Sequence, residues 1–168
     1  AALCVATGTV AQPAYNYSKL QKEQLGRGVV AIRENPSDVV VSWRYLSSDP
    51  INTSFNVYRN GEKIAEVPHS TGTFYRDTYS GNEKAVYTVK PVINGVETGK
   101  LNGNYTLPAN APSGYIDIPL DRPAEGVTPS GQKYTYSPND ASIGDVDGDG
   151  EYEIILKWDP SNAHDNAH

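Results

Sequence analysis

The Asn-Gly pairs Asn60-Gly61 and Asn94-Gly95 punctuate short runs of β-branched and aromatic residues, and they narrow what the chain can fold into more than any other feature. Both residues of such a pair tolerate positive φ, so Asn-Gly closes a two-residue hairpin whose twist matches that of its strands. The first pair predicts a hairpin between Phe55-Asn56-Val57-Tyr58-Arg59 and Lys63-Ile64-Ala65-Glu66-Val67, and the second ends a strand running from Ala85 to Ile93. Val39, Val41 and Trp43 fall on one face of a further strand. Between Gly28 and Leu107 such runs recur with turn signals between them, which is the pattern of an all-β sandwich. The 12 tyrosines against 2 phenylalanines, with 15 glycines and 12 prolines, suit short strands and turns. Trp43, Tyr58 and Tyr87 are expected to fill the core, because aromatics on alternating strands usually do.

This segment, assigned to residues 24–108, resembles a fibronectin type III domain. The resemblance rests on Val-x-Val-x-Trp from Val39 to Trp43, the Asn56-Val57-Tyr58-Arg59-Asn60-Gly61 hairpin and Tyr87-x-Val89 near the position of a tyrosine corner. Such folds host many functions, so the sandwich alone assigns none. Pro108 to Ser113 reads as a boundary rich in Pro, Ala and Asn. A short strand is expected around Tyr115-Ile116-Asp117-Ile118, then a Pro/Gly-rich excursion, then Tyr134-Thr135-Tyr136.

The stretch Asp145-Val146-Asp147-Gly148-Asp149-Gly150-Glu151-Tyr152-Glu153 sets carboxylates at alternate positions around two glycines. A hard cation such as calcium takes six to eight oxygens at about 2.3–2.6 Å, and acidic side chains at loop positions 1, 3 and 5 converge when a glycine at position 6 allows the turn. Asp145, Asp147, Asp149 and Gly150 fit that scheme, with Glu151 expected to offer its backbone carbonyl and Glu153 a closing carboxylate. The bidentate Glu of an EF-hand is missing, since its place is taken by Leu156. The flanks, Ala141 to Gly144 and Tyr152 to Trp158, carry no helical period, so the loop is expected to join two strands as a structural calcium site rather than a catalytic one. A solvated Asp/Gly turn is the plainer alternative. Asp159, Asn162 and Asp165 offer a second, less diagnostic ligand spacing.

The net charge of −6 argues against a nucleic-acid partner, because no basic face is available to contact phosphates. No apolar run reaches the roughly 18 residues needed to span a bilayer. The uncharged start, Ala1 to Gln12, reads as the tail of a signal peptide, with residues 1–23 a remnant and linker; a secreted, periplasmic or cell-surface location is expected. The single cysteine, Cys4, lies in that segment. The polar end after Asp159 leaves an apolar hairpin face without cover, so further strands are expected beyond this sequence.

From Gln24 onward the chain resembles the rhamnogalacturonan lyases of polysaccharide lyase family 11. The residues that carry this are Leu25-Gly26-Arg27-Gly28-Val29-Val30-Ala31-Ile32, the Asn56 to Gly61 hairpin, Tyr134-Thr135-Tyr136-Ser137-Pro138-Asn139-Asp140, Gly144 to Gly150, and Leu156-Lys157-Trp158-Asp159-Pro160-Ser161-Asn162. The resemblance implies a β-sandwich followed by the first strands of a calcium-stabilised β-propeller in residues 109–168. It implies cleavage of the rhamnose-galacturonate backbone of rhamnogalacturonan I, a pectin polysaccharide, by β-elimination; separately, a monomer is expected. It also carries over Asn139 and Asp159 as sugar contacts, while turn capping by Asn and Asp remains open. Lys157 reads as a solvated or paired strand residue, and the proton-abstracting base is expected outside this chain, leaving the fragment inactive alone. The alternative is a non-catalytic, calcium-dependent adhesion or carbohydrate-binding module.

Overall fold

The computed structural model describes residues 24–100 and 102–164. The expected signal remnant, Cys4, Asp165 and His168 lie outside the described residues. Twelve strands and one 3-10 turn at His69–Thr71 make up the regular structure among them. The fold is all-β.

Eight strands build two facing sheets. β1 (Val30–Asn35), β2 (Asp38–Ser42) and β5 (Phe74–Thr78) form an antiparallel sheet in the order β1-β2-β5. Opposite it, β3 (Ser54–Arg59) pairs with β4 (Glu62–Val67) on one side and with β6 (Ala85–Ile93) on the other. The far edge of β6 is shared by β7 (Val96–Glu97) and β8 (Gly103–Leu107). Alternate residues of both sheets turn inward, as the pleat requires. Ala31, Val39, Val41, Phe55, Val57, Tyr87, Val89 and Leu107 meet in one core, joined by Trp43 in edge-to-face contact with Phe55 at 5.4 Å.

Asn60-Gly61 and Asn94-Gly95 each close a hairpin, as expected. Asn60 and Gly61 have φ of 50° and 85°, and Asn94 and Gly95 have 51° and 77°. Tyr58 departs from the expectation. Phe55 and Val57 take the inward face of β3, so Tyr58 points outward, half-buried, where its hydroxyl donates to Glu97 and Lys90 Nζ lies 4.5 Å from its ring centroid.

Residues 108–114 are laid along the sandwich. Asn110 N donates to Asn82 O at 2.9 Å, Ala111 packs on the core, Ser113 forms a parallel bridge with Arg33, and Gly114 N donates to Arg33 O at 2.7 Å. The strand expected at Tyr115 to Ile118 does not form. Those residues extend between Gly114 and Pro119 with no partner strand among the described residues, and an unpaired segment gains no ladder hydrogen bonds. Two small sheets follow: β9 (Gly126–Val127) with β10 (Lys133–Tyr134), and β11 (Tyr136–Gly144) with β12 (Glu153–Pro160). The second hairpin carries the residues of functional interest.

Candidate functional site

The acidic loop spans the turn between β11 and β12, and its aspartates organise it by local hydrogen bonds. Asp145 accepts from Gly148 N at 2.8 Å and from Gly150 N at 3.1 Å. Asp147 accepts from Asp149 N at 3.1 Å, and Asp149 accepts from Glu151 N at 2.8 Å. Positive φ at Gly148 and Gly150, 80° and 93°, lets the chain reverse between these carboxylates. One oxygen from each of Asp145, Asp147 and Asp149 falls within 4.8 Å of the others.

That separation suits one shared hard cation, because oxygens at about 2.3–2.6 Å from a common centre lie no more than about 5 Å apart. The donor set, carboxylate oxygens only, matches calcium or magnesium rather than a soft metal. The two expected glutamates are placed differently from the three aspartates. Glu153 accepts from Val146 N at 2.8 Å and so closes the loop onto its own start, while the Glu151 side chain lies against Gly26. Neither side chain joins the aspartate cluster.

At the other end of the same hairpin, the structure brings Asn139 and Asp159 into direct contact, the Asn139 amide donating to Asp159 Oδ2. The ladder explains how. Pro138 pairs with Trp158 and Ala141 with Leu156, so two residues of β11, Asn139 and Asp140, oppose the single Lys157. This is a β-bulge, a device that re-aims side chains, and Pro138 is tolerated there because an irregular ladder needs fewer amide donors. Lys157 Nζ reaches Asp159 Oδ1 at 3.0 Å, so the lysine is paired. Its ammonium, followed by the Asn139 amide, holds the Asp159 carboxyl below its usual range. A cleft of about 340 Å³ lies beside this end of the hairpin, lined by Glu125, Lys133, Tyr134 and Ser161 among others. Sequence reasoning singled out neither Lys133 nor the cleft; Tyr134 and Ser161 entered it only within longer motifs. His164 is exposed after β12.

Chemically, the pair offers an ionised acceptor and an amide within one hydrogen-bonded unit, partly neutralised by Lys157. Such a unit suits the vicinal hydroxyls of a sugar, which donate to a carboxylate and accept from an amide. A bare carboxylate ligand would be repelled by Asp159.

Comparison with known proteins bears on both parts of the chain. Residues 20–105 match the rhamnogalacturonan I lyases beta-sheet domain, and residues 115–168 match the C-terminal domain of rhamnogalacturonan lyase family 11. The chain is 47% identical over 149 residues to the rhamnogalacturonan endolyase YesW of Bacillus subtilis, covering 88% of this chain and 23% of that one. It is 45% identical to the rhamnogalacturonan exolyase YesX of the same organism, over 89% of this chain and 24% of the relative. The crystal structure of YesX superposes with a TM-score of 0.71 over 88% of this chain and 24% of its own. A Bacillus licheniformis rhamnogalacturonan lyase, PL11, gives 0.68 at 48% identity, over 87% of this chain and 24% of its own. The chain thus spans about a quarter of the length of the curated relatives it matches. With one family model covering more than half of its residues and a second covering the hairpin that bears the acidic loop and the Asn139–Asp159 pair, the chain belongs to rhamnogalacturonan lyase family 11.

Proposed function

We propose that this chain is the sandwich and first propeller strands of an exported lyase that cleaves rhamnogalacturonan I by β-elimination. The observation that carries the reading is the Asn139–Asp159 pair, aimed by a bulge and charge-balanced by Lys157. The sandwich is read as fibronectin type III-like on its strand order, three strands facing β4-β3-β6-β8. Calcium in the acidic loop, held by Asp145, Asp147 and Asp149, would supply fixed positive charge that clamps the start of β12.

Elimination requires that a base remove the proton at C5 of galacturonate and that the rhamnose bond at C4 break. The adjacent carboxylate resists the developing carbanion, so positive charge must neutralise it. Asp159 cannot do this. Its role is to accept hydroxyl hydrogen bonds that fix a sugar ring, with Asn139 donating alongside. Lys133, in the neighbouring cleft, is the cation placed to receive a uronate carboxylate of the same strand of polymer. The cation at the Asn139–Asp159 pair, Lys157, is already engaged by Asp159 and is not free to serve as that base. The base is therefore assigned to another part of the enzyme.

The test follows the unsaturated uronate product by absorbance with rhamnogalacturonan I as substrate. The 168-residue chain alone should release none, and robust release would overturn the assignment of the base elsewhere. In the longer enzyme, Asn139→Ala and Asp159→Ala should each lower kcat/KM by about 10- to 100-fold, the range for losing a hydrogen bond to a charged group. Unchanged kcat/KM in both would remove these residues from the substrate site.

A further inference from the structure

The Leu25-Gly26-Arg27-Gly28 motif is explained neither by the sandwich core nor by the sugar contact, yet each of its last three residues has a distinct structural task. Gly26 N donates to Gly150 O, in the acidic loop, at 2.5 Å. A Cβ at Gly150 would stand 2.7 Å from Gln24 O and 3.0 Å from Gly26 N, both backbone atoms, so that position must lack one, while a Cβ at Gly26 would displace the Glu151 carboxylate, 2.5 Å away. Gly28, at φ 54°, leaves the gap that Arg44 fills, since a Cβ there would lie 2.6 Å from the guanidinium carbon. Through that gap Arg44 reaches Gly26 O at 3.3 Å and stacks over Tyr152, 4.6 Å from the ring centroid. Arg27 anchors the motif from beneath. It is buried, paired with Asp49 at 2.6 and 3.0 Å and bonded to Arg44 O at 3.0 Å.

We infer that residues 24–28 with Arg44 form a socket for the acidic loop, and that cation binding in the loop and docking of the loop onto the sandwich are thermodynamically coupled. The inference rests on the reading of the loop as a calcium site. Gly150 supplies both halves of the connection: its amide donates to Asp145, one of the three clustered carboxylates, while its carbonyl accepts from Gly26. A cation that fixes the aspartates therefore fixes the carbonyl that the sandwich binds. Tyr152 immediately precedes β12, the strand that carries Lys157 and Asp159, so the socket also sets where that strand begins. Coupling of this kind is reciprocal: if calcium favours docking, docking must tighten calcium binding by the same factor.

The experiment is calcium titration by calorimetry on the full chain, paired with thermal unfolding read from Trp43 alone in a Trp158→Phe background. Trp43 belongs to the sandwich, far from the loop in sequence, and it is one of 2 tryptophans in the chain. Calcium should raise the midpoint reported by Trp43. Tyr152→Leu, at an exposed position outside the cluster of aspartates, should weaken calcium binding by about two- to tenfold, the equivalent of one cation–π contact, and abolish the Trp43 response. Tyr152→Phe keeps the ring and should restore both. Arg44→Ala should behave as Tyr152→Leu does. Calcium binding that is unaltered by Tyr152→Leu, or a Trp43 midpoint that ignores calcium, overturns the coupling while leaving the metal site standing. No calcium binding by the wild-type chain overturns both.

Discussion

The hydroxyl of Tyr87 donates to Asp77 Oδ2 at 2.8 Å, and the same carboxylate takes Arg59 Nη1 at 2.6 and 2.8 Å. Asp77 is 4% exposed and belongs to β5, whereas Tyr87 and Arg59 belong to β6 and β3 of the opposite sheet. The triad is therefore a polar bolt through the sandwich. Burial, and then the hydrogen bond to Asp77, push the Tyr87 phenol well above its ordinary range, so it stays a donor at any physiological pH. Asp77→Ala would strand a buried hydroxyl and most of a guanidinium, which predicts a loss of about 3 kcal/mol. Tyr87→Phe loses one bond and should cost about 1 kcal/mol. Urea unfolding at neutral pH measures both, and equal losses would contradict the arrangement.

A second carboxylate makes the sandwich sensitive to acid. Glu97 on β7 accepts from Asn56 at 2.7 Å, from Tyr58, and from Lys90 at 2.9 Å, and these bonds, Asn56 first, lower its pKa from 4.5 to about 2. A carboxyl whose folded pKa lies below its unfolded one contributes stability above the unfolded value and loses it as pH falls through the folded one. The contribution should therefore be complete above about pH 5 and fade between 4.5 and 2. Glu97→Gln should be less stable than wild type at pH 6, and the two stability curves should converge near pH 2. Parallel curves across that window would show that Glu97 is not perturbed.

Glycine substitutions separate steric from conformational cost. A Cβ at Gly103 on β8 would lie 2.6 Å from both Arg27 Cβ and Val29 Cγ2, atoms fixed by a buried ion pair and by the core. Gly61 has open space around it but a φ of 85°. Gly61→Ala should cost about 1–2 kcal/mol from the left-handed backbone alone. Gly103→Ala has to displace packed atoms and should cost more, about 2–3 kcal/mol, as overpacking does. The reverse order in denaturant midpoints would contradict the close approach of β8 to the Arg27 segment.

How far the sequence reveals these features depends on the range of the interaction. The hairpins at Asn60-Gly61 and Asn94-Gly95 and the convergence of Asp145, Asp147 and Asp149 are set by neighbours a few residues apart, so residue types and spacing suffice. Asn139 and Asp159 are 20 residues apart, and antiparallel pairing suggests their approach, but the bulge opposite Lys157 that aims Asn139 has no sequence signature beyond Pro138. Tyr58 is misplaced by an aromatic-equals-core rule, because the Glu97 cluster that holds it draws single residues from β3, β6 and β7. The strand expected at Tyr115 to Ile118 has strand-like residues but finds no partner strand among the described residues, and strand formation is a property of pairs. The Gly26–Gly150 contact joins segments separated by most of the chain, and two glycines outside the regular strands announce nothing about each other.

Charge at the Asn139–Asp159 end of the hairpin can be tested without substrate. Lys157 is the largest influence lowering the Asp159 pKa from 3.8, with Asn139 next. Lys157→Ala should raise the Asp159 pKa toward its ordinary value, and Asn139→Ala should raise it less, both measured by NMR titration of the carboxyl carbon. Because Asp159 accepts from an exposed lysine, high salt should shrink the first effect. A larger change from Asn139→Ala would mean that the amide, rather than the ammonium, sets the charge of this site.

The acidic loop allows turn formation and metal binding to be pulled apart. Asp147 uses Oδ1 to accept from Asp149 N at 3.1 Å, and an asparagine in its place retains that acceptor. Asp147→Asn should therefore leave the metal-free chain as stable as wild type while removing one of three converging charges, and calcium affinity should fall roughly tenfold or more, since ligand charge tunes such sites. Asp145→Ala differs because Asp145 accepts from both Gly148 N and Gly150 N. Its loss should lower the metal-free midpoint as well, by the equivalent of about 1 kcal/mol per hydrogen bond lost. Thermal unfolding in chelator and in millimolar calcium reads both quantities for each variant. If Asp147→Asn and Asp145→Ala respond alike in chelator, the aspartates do not divide the work of turn and ligand as the hydrogen bonds indicate. If calcium raises the midpoint of Asp147→Asn as much as that of wild type, the three carboxylates do not share an ion.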